Sequence, residues 1–228
     1  MARWPQLRPD VAFDLCLDHG RCVGIRLPTD EAILDESLPA EERAFASTLT
    51  AVRRRTWLGG RAALREALLR AGIDAPAVLA DDRGAPRLPS GICGSISHKE
   101  TLAVALVTVA ASSPSARIGI DVELNARPGP DIASRVLTDE ERMEVDALDS
   151  ALRDGEVLLR FSAKEALYKA LDPFVRRYVA FKEVSVRPKV GGSCEVRLHL
   201  AAAEGRFYAE VRWMRWEDFF LTTAMVSR

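Results

Sequence analysis

The stretch Gly60-Arg61-Ala62-Ala63-Leu64-Arg65-Glu66-Ala67-Leu68 is echoed in the second half of the chain by Ala163-Lys164-Glu165-Ala166-Leu167-Tyr168-Lys169-Ala170-Leu171. In both, small and leucine side chains return at spacings of three and four, which is helical patterning. Each segment is followed by loop and then by β-like runs. Two halves built this way predict an α+β fold: a pseudo-twofold pair of similar lobes, with the site in the cleft between them.

Working outward in the first half, residues 11–17 and 21–27 alternate around Asp18-His19-Gly20 and read as a strand pair. A long helical region follows Pro39. Trp57, Gly60, Leu64, Ala67 and Ala71 mark its apolar face, and Gly72 caps its end. Gly59-Gly60 is a point where it could break or pinch. Residues 81–91 are rich in Gly and Pro and read as loop. Residues 93–97 and 102–109 are apolar enough for buried strands. The Ser/Pro-containing stretch 111–116 reads as a linker, which divides the chain into lobes 1–113 and 114–228.

The second half restarts with a strand at 117–123. Thr138, with Glu141 three residues on, forms a capping box that opens a helix. A further helix covers 156–171. Four β-like runs follow, at 181–187, 194–200, 207–213 and 219–226.

A chain of 228 residues, 48% apolar, fits one or two domains with a sizeable core. Its 32 basic and 33 acidic residues nearly cancel, to −1. That argues against bulk electrostatic binding of nucleic acid but leaves room for one local basic pocket. The basic set is 27 Arg and 5 Lys, so each lysine is an unusual choice. The longest apolar run, 102–111, contains a Thr and falls short of the ~18–20 residues a bilayer requires. Residues 1–9 are basic without an apolar segment behind them and do not read as a signal peptide. Cys16, Cys22, Cys93 and Cys194 form no CxxC pair and read as free thiols in a reducing cytoplasm. The three histidines share no metal-ligand spacing.

Four elements could carry chemistry. In Gly119-Ile120-Asp121-Val122-Glu123, strand alternation puts both carboxylates on one face. Paired carboxylates suit a hard cation such as Mg²⁺, or a solvated strand end. In Phe161-Ser162-Ala163-Lys164-Glu165-Ala166-Leu167-Tyr168-Lys169, Glu165 and Lys169 share a helix face. Isolated, this is a surface ion pair. Beside Asp121 and Glu123, it supplies a third carboxylate and a mobile cation. In Gly94-Ser95-Ile96-Ser97-His98-Lys99, Ser97 and His98 can bind phosphate oxygens. Adjacent residues on an extended chain point apart, which excludes a Ser–His nucleophile pair. The fourth element is basic. Arg54, Arg61 and Arg65 fall near one helix face, Arg53 and Arg55 flank Arg54, and Arg83 and Arg87 bracket Gly84-Ala85-Pro86.

Gly-Ser-Ile-Ser-His, Gly-Ile-Asp-Val-Glu and Phe-Ser-Ala-Lys-Glu-Ala-Leu-Tyr-Lys, in this order, resemble the 4′-phosphopantetheinyl transferases of the long, two-lobed surfactin and enterobactin type. The resemblance implies an enzyme that moves 4′-phosphopantetheine from coenzyme A to a serine of an apo acyl or peptidyl carrier protein, releasing 3′,5′-ADP. It implies Mg²⁺, with Mn²⁺ as a substitute, held by Asp121, Glu123 and Glu165 on the pyrophosphate. Glu165 or a metal-bound water would take the serine proton, and Lys169 would neutralise the leaving phosphate. Ser97, His98 and Lys164 would bind coenzyme A phosphates, and Arg53 and Arg61 its 3′-phosphate end, with Arg54 competing on helix-face grounds. At the Gly-x-Pro loop the surfactin type has Lys directly after the Gly, where this chain has Ala85; Arg83 or Arg87 would replace it. Phe161 stands where the family often has Trp.

The expected setting is a cytoplasmic monomer with no nucleic-acid or membrane partner. Pro173 should end the catalytic helix, leaving Phe174, Val175 and Tyr178, with Arg176 and Arg177, as a docking edge for an acidic carrier. Competing readings are a Mg²⁺-dependent coenzyme A or nucleotide pyrophosphohydrolase and a degenerate, non-catalytic assembly partner. The trimeric holo-carrier synthases share the chemistry in chains about half this length.

Overall fold

Both echoed segments lie on long helices, each laid across an antiparallel sheet. The computed structural model describes residues 9–109 and 115–228. Most of the N-terminal stretch 1–9 and residues 111–114 of the linker lie outside the described residues. The chain divides into two units, Met1–Pro114 and Ser115–Arg228.

In the first unit, β1 (Val11–Leu17) and β2 (Gly20–Arg26) form a hairpin. Gly20 is required there: a Cβ would stand 2.3 Å from the Val107 carbonyl oxygen, at φ +141°. The helical region after Pro39 is not one helix. A short α1 (Ala32–Glu36) precedes it, α2 spans Ala40–Ala46, and α3 spans Ala51–Arg70. The break follows from the residues after α2. The Ser47 and Thr48 hydroxyls donate to the carbonyls of Ala44 and Phe45, offering the backbone an alternative to helix. β3 (Ile92–Lys99) and β4 (Leu102–Val109) complete a sheet of order β1-β2-β4-β3.

Gly59 and Gly60 do not interrupt α3; they let it settle on the sheet. A Cβ on Gly59 would lie 2.0 Å from Leu27 Cδ2, and one on Gly60 2.8 Å from Ile96 Cγ2. Leu58, Ala63, Leu64 and Ala67 pack against Val23, Ile25, Ala103 and Ala105. Beyond α3, Gly72 adopts the left-handed conformation, and the Ile73 N–H reaches back to the Leu68 carbonyl, so Gly72 caps as expected.

The second unit opens with β5 (Arg117–Leu124), then α4 (Ile132–Val136), α5 (Asp139–Asp146) and α6 (Ser150–Val175). The capping box forms: the Glu141 N–H donates to Thr138 Oγ1 and the Thr138 N–H to Glu141 Oε2. Strands β6 (Val184–Pro188), β7 (Ser193–Leu198), β8 (Tyr208–Trp216) and β9 (Phe219–Ser227) follow, in the order β5-β9-β8-β7-β6. The run expected at 181–187 begins as a 3-10 turn, Phe181–Glu183.

Helix α6 is longer at both ends than its apolar pattern. Pro173 lies inside its last turns, and the chain leaves through Arg176 in the left-handed region. Burial outweighs the lost hydrogen bond: Phe174 and Val175 pack on the core, and Phe174 meets the Phe207 ring at 5.5 Å. The expected docking edge keeps Arg176 and Tyr178 exposed, while the rest of it is partly drawn inward. Phe174 and Val175 are half-buried against the core, and Arg177 pairs within the unit, its Nε 2.5 Å from Glu204 Oε1 and its Nη2 2.7 Å from Glu183 Oε2.

Candidate active site

Helix and strand approach most closely at Gly119. A Cβ there would fall 1.9 Å from the Ala166 carbonyl oxygen. Asp121 and Glu123 follow at even spacing, so they project from the same, α6-facing side of β5. They are not a solvated strand end: Asp121 is 5% and Glu123 8% exposed.

Glu165 and Lys169 come from the facing turns of α6. Lys169 does not form a simple helix-surface pair. Its Nζ crosses to β5, 2.8 Å from Asp121 Oδ1 and 2.9 Å from the Ile120 carbonyl. The Glu165 carboxyl is held above the ordinary carboxylate range. Burial is the main cause; the charge of Asp121 and, more weakly, of Glu123 pushes the same way, while Lys169 opposes them. The second unit thus gathers Asp121, Glu123, Glu165 and Lys169 at one helix–sheet junction.

The other oxygen of Asp121 has a partner that motif reading missed. Ser162 Oγ donates to Asp121 Oδ2 at 2.9 Å, and Thr222 Oγ1 lies 2.9 Å from Ser162 Oγ. Ser162 was within the quoted motif but carried no reading; Thr222 stands in an apolar run with no signal of its own.

Lys164 is corrected. Its side chain is 1% exposed and its Nζ contacts Glu141 Oε2 at 2.6 Å. It also donates to the carbonyls of Val136 and Phe181, at 2.8 and 3.0 Å. An ammonium has three donors, and all are used, so Lys164 anchors α6 instead of offering a phosphate contact. Glu141, read only as a cap, is the hub: its Oε1 also accepts the Val186 N–H at 2.7 Å.

In the first unit, Arg61 is 3% exposed, lies over the Trp57 ring at 5.0 Å, and has Nη1 buried without a hydrogen-bond partner among the described residues. Arg54 is committed to Asp35 at 3.0 Å, and Arg55 to the carbonyls of Leu27 and Pro28. Arg65 bridges to buried Glu42 at 2.5 Å. Arg53 is exposed. Ser97 is buried and His98 exposed on consecutive positions of β3, the opposed directions that exclude a nucleophile pair. Arg83 and Arg87 are both exposed on the loop, which Asp81 organises by accepting the N–H groups of Arg83 and Ala85 at 2.9 Å each.

Among the described residues, no three His, Cys, Asp or Glu side chains already stand together as a metal-binding group. The donor chemistry nonetheless fits a hard cation. Asp121, Glu123 and Glu165 offer only oxygen, and the charges of Asp121 and Glu123 add to burial in raising Glu165.

Comparison with known proteins bears on both units. The model of the 4′-phosphopantetheinyl transferase N-terminal domain matches residues 40–108. That of the 4′-phosphopantetheinyl transferase superfamily matches residues 117–224. The chain is 33% identical over 174 residues to 4′-phosphopantetheinyl transferase Npt of Nocardia iowensis, covering 76% of this chain and 73% of the relative. It is 32% identical over 173 residues to enterobactin synthase component D of Salmonella typhimurium, covering 75% and 68%. Holo-[acyl-carrier-protein] synthase of Thermotoga maritima superposes with a TM-score of 0.41 at 25% identity, over 49% of this chain and 62% of that one. With models of one family on both units, and relatives matched over more than two thirds of their own length, the chain belongs to the 4′-phosphopantetheinyl transferases of the long two-lobed type.

Proposed function

We propose that the protein transfers the 4′-phosphopantetheine group of coenzyme A to a serine of an apo acyl or peptidyl carrier protein, with Mg²⁺ or Mn²⁺, releasing 3′,5′-ADP. The observation that carries this reading is the junction of β5 and α6, where Glu165, a half-buried carboxyl of raised proton affinity, adjoins Asp121, which Lys169 contacts.

In the proposed step the serine Oγ forms a bond to the phosphorus next to pantetheine. The bond from that phosphorus to the bridging oxygen breaks, and 3′,5′-ADP leaves. The serine proton would go to Glu165, whose partial burial raises its affinity for a proton. Lys169, a cation already held against the strand, offsets charge growing on the leaving oxygens. Asp121, Glu123 and Glu165 would hold the metal, which when bound supplies positive charge to the pyrophosphate.

The first-unit residues would hold the nucleotide end. Arg61 supports this through its buried Nη1, which has no hydrogen-bond partner among the described residues and is a donor suited to a phosphate oxygen. Arg53 is preferred to Arg54 for the 3′-phosphate, because Arg54 already pairs with Asp35. Ser97, His98 and Arg83 would complete the phosphate contacts; the exposure of both Arg83 and Arg87 favours neither over the other.

The test is to mix the protein with apo carrier, coenzyme A and Mg²⁺ and weigh the carrier by intact mass spectrometry. A carrier heavier by one phosphopantetheine is expected. Coenzyme A cleaved with the carrier unchanged would instead point to a pyrophosphohydrolase. No chemistry on either would point to a non-catalytic assembly partner.

A further inference from the structure

Asp121 on β5 and Thr222 on β9 are direct cross-strand partners, and Ser162 comes down on them from α6. Ser162 and Thr222 are fully buried in a helix–sheet interface otherwise made of small and apolar side chains such as Ala163, Ala166 and Ala224. Packing alone would be served there by alanine and valine, which need no hydrogen-bond partner.

The proton accounting gives the two hydroxyls a direction. An ionised carboxylate only accepts, so the single Ser162 proton goes to Asp121 Oδ2, at 2.9 Å. Ser162 Oγ is then left as an acceptor. Thr222 Oγ1 lies 2.9 Å from that oxygen and donates to the Ser162 carbonyl at 2.9 Å, so it holds Ser162 by its backbone as well as beside its hydroxyl. On the opposite oxygen of Asp121 stands Lys169, at 2.8 Å. Ser162 and Lys169 lie two turns apart on one face of α6, so Asp121 is gripped at both oxygens across those turns.

We infer that Ser162 and Thr222 are positioning residues that fix the plane of the Asp121 carboxylate toward the cation of the proposed reaction. The inference rests on that reading. Hydroxyls behind a ligating carboxylate act on affinity for the ion, and losing such a support typically weakens binding about 10–100-fold.

The experiment titrates Mn²⁺ alone into the full-length enzyme without coenzyme A, following free Mn²⁺ by electron paramagnetic resonance. Thr222→Val, which keeps the shape and removes the hydroxyl, is expected to bind Mn²⁺ about tenfold more weakly. Ser162→Ala should lose at least as much. Thr222→Ser, which restores the hydroxyl, should return within about twofold of wild type. The Mg²⁺ concentration for half-maximal turnover should rise in parallel while the KM for coenzyme A holds. Wild-type enzyme that takes up no Mn²⁺, either alone or with coenzyme A added, would sink the cation reading and this inference with it. If the wild type binds Mn²⁺ and Thr222→Val binds it equally well, the inference alone is overturned. The same holds if Thr222→Ser is as weak as Thr222→Val, because the methyl and not the hydroxyl would then matter.

Discussion

Lys164 and Lys169 stand five residues apart in one motif, yet they do opposite work. Lys169 keeps 27% of its side chain exposed and reaches Asp121, while Lys164 is sealed under Glu141. Removing one partner of a buried ion pair strands the other charge in a poor solvent, at a cost of about 3–5 kcal/mol. Lys164→Met is therefore expected to lower unfolding free energy by that order in a urea titration. The fraction that remains folded should bind coenzyme A with a KM within about twofold of wild type, since a structural anchor makes no uniform binding contact to lose. A large rise in that KM with unchanged stability would return Lys164 to the phosphate site. Spacing along a helix gave no means of separating the two lysines, because what distinguishes them is Glu141, 23 positions away in the chain.

The elements legible in the sequence were those whose pattern is local. The strand at 117–123, the helix face from Ala163 to Leu171 and the Thr138 cap each depend on neighbours within a turn or two. Boundaries set by tertiary packing were not legible. Pro173 reads as a stop, but Phe174 and Val175 have a core to reach, so α6 continues. Gly59-Gly60 reads as a break or a pinch, and only the packing partners Leu27 and Ile96 decide that it serves close approach. Within the site, Asp121, Glu123, Glu165 and Lys169 stand out by type and spacing, but each pair alone fits a solvated strand end or a surface ion pair equally well, and only the resemblance ties them to one chemistry. Thr222 could not, since its role exists only once β9 pairs with β5. The approach of α6 to β5 is also the element on which catalysis would depend. At Gly119 a methyl group would meet the Ala166 backbone, which cannot rotate aside. Gly119→Ala should force the helix off the strand, costing about 1–3 kcal/mol as overpacking. It should also cut turnover more than tenfold by separating Glu165 and Lys169 from Asp121, because a misplacement near 1 Å costs about 10²-fold. Gly72→Ala is the control: nothing lies within 4 Å of its Cβ, so it should cost about 1 kcal/mol of left-handed strain and leave turnover intact. Thermal melts and steady-state kinetics on the two variants read both effects. Normal turnover in Gly119→Ala would show that the contact does not set the site.

Across the whole molecule, the duplication extends beyond the helix that first revealed it. Glu42 and Glu141 each sit on a short helix before the long one and are buried. Each accepts the backbone N–H of a residue beyond the long helix, Val78 or Val186, at 2.7 Å. Each also holds a cation of the long helix, Arg65 or Lys164. The units then diverge. Where the second carries Glu165 and Lys169, the echoed segment of the first has Ala62 and Glu66, so the acidic chemistry belongs to one unit and a basic helix to the other. Under the proposed function, coenzyme A draws on Arg61 in the first unit and on Lys169 and the carboxylates in the second. A ligand that binds only the folded state stabilises by RT ln(1 + [L]/Kd), about 2.7 kcal/mol at one hundred times Kd. Each unit has its own apolar core and its own tryptophans, with Trp57 against Arg61 in the first and Trp213 against Phe220 in the second. Variants retaining Trp57 alone or Trp213 alone therefore report unfolding unit by unit. Saturating coenzyme A with Mg²⁺ is expected to raise the denaturation midpoint seen by both reporters. Dephospho-coenzyme A, lacking the 3′-phosphate, should raise the Trp57 midpoint less. A shift confined to Trp57 would leave the carboxylate junction outside the coenzyme A site, and one confined to Trp213 would remove Arg61 from it.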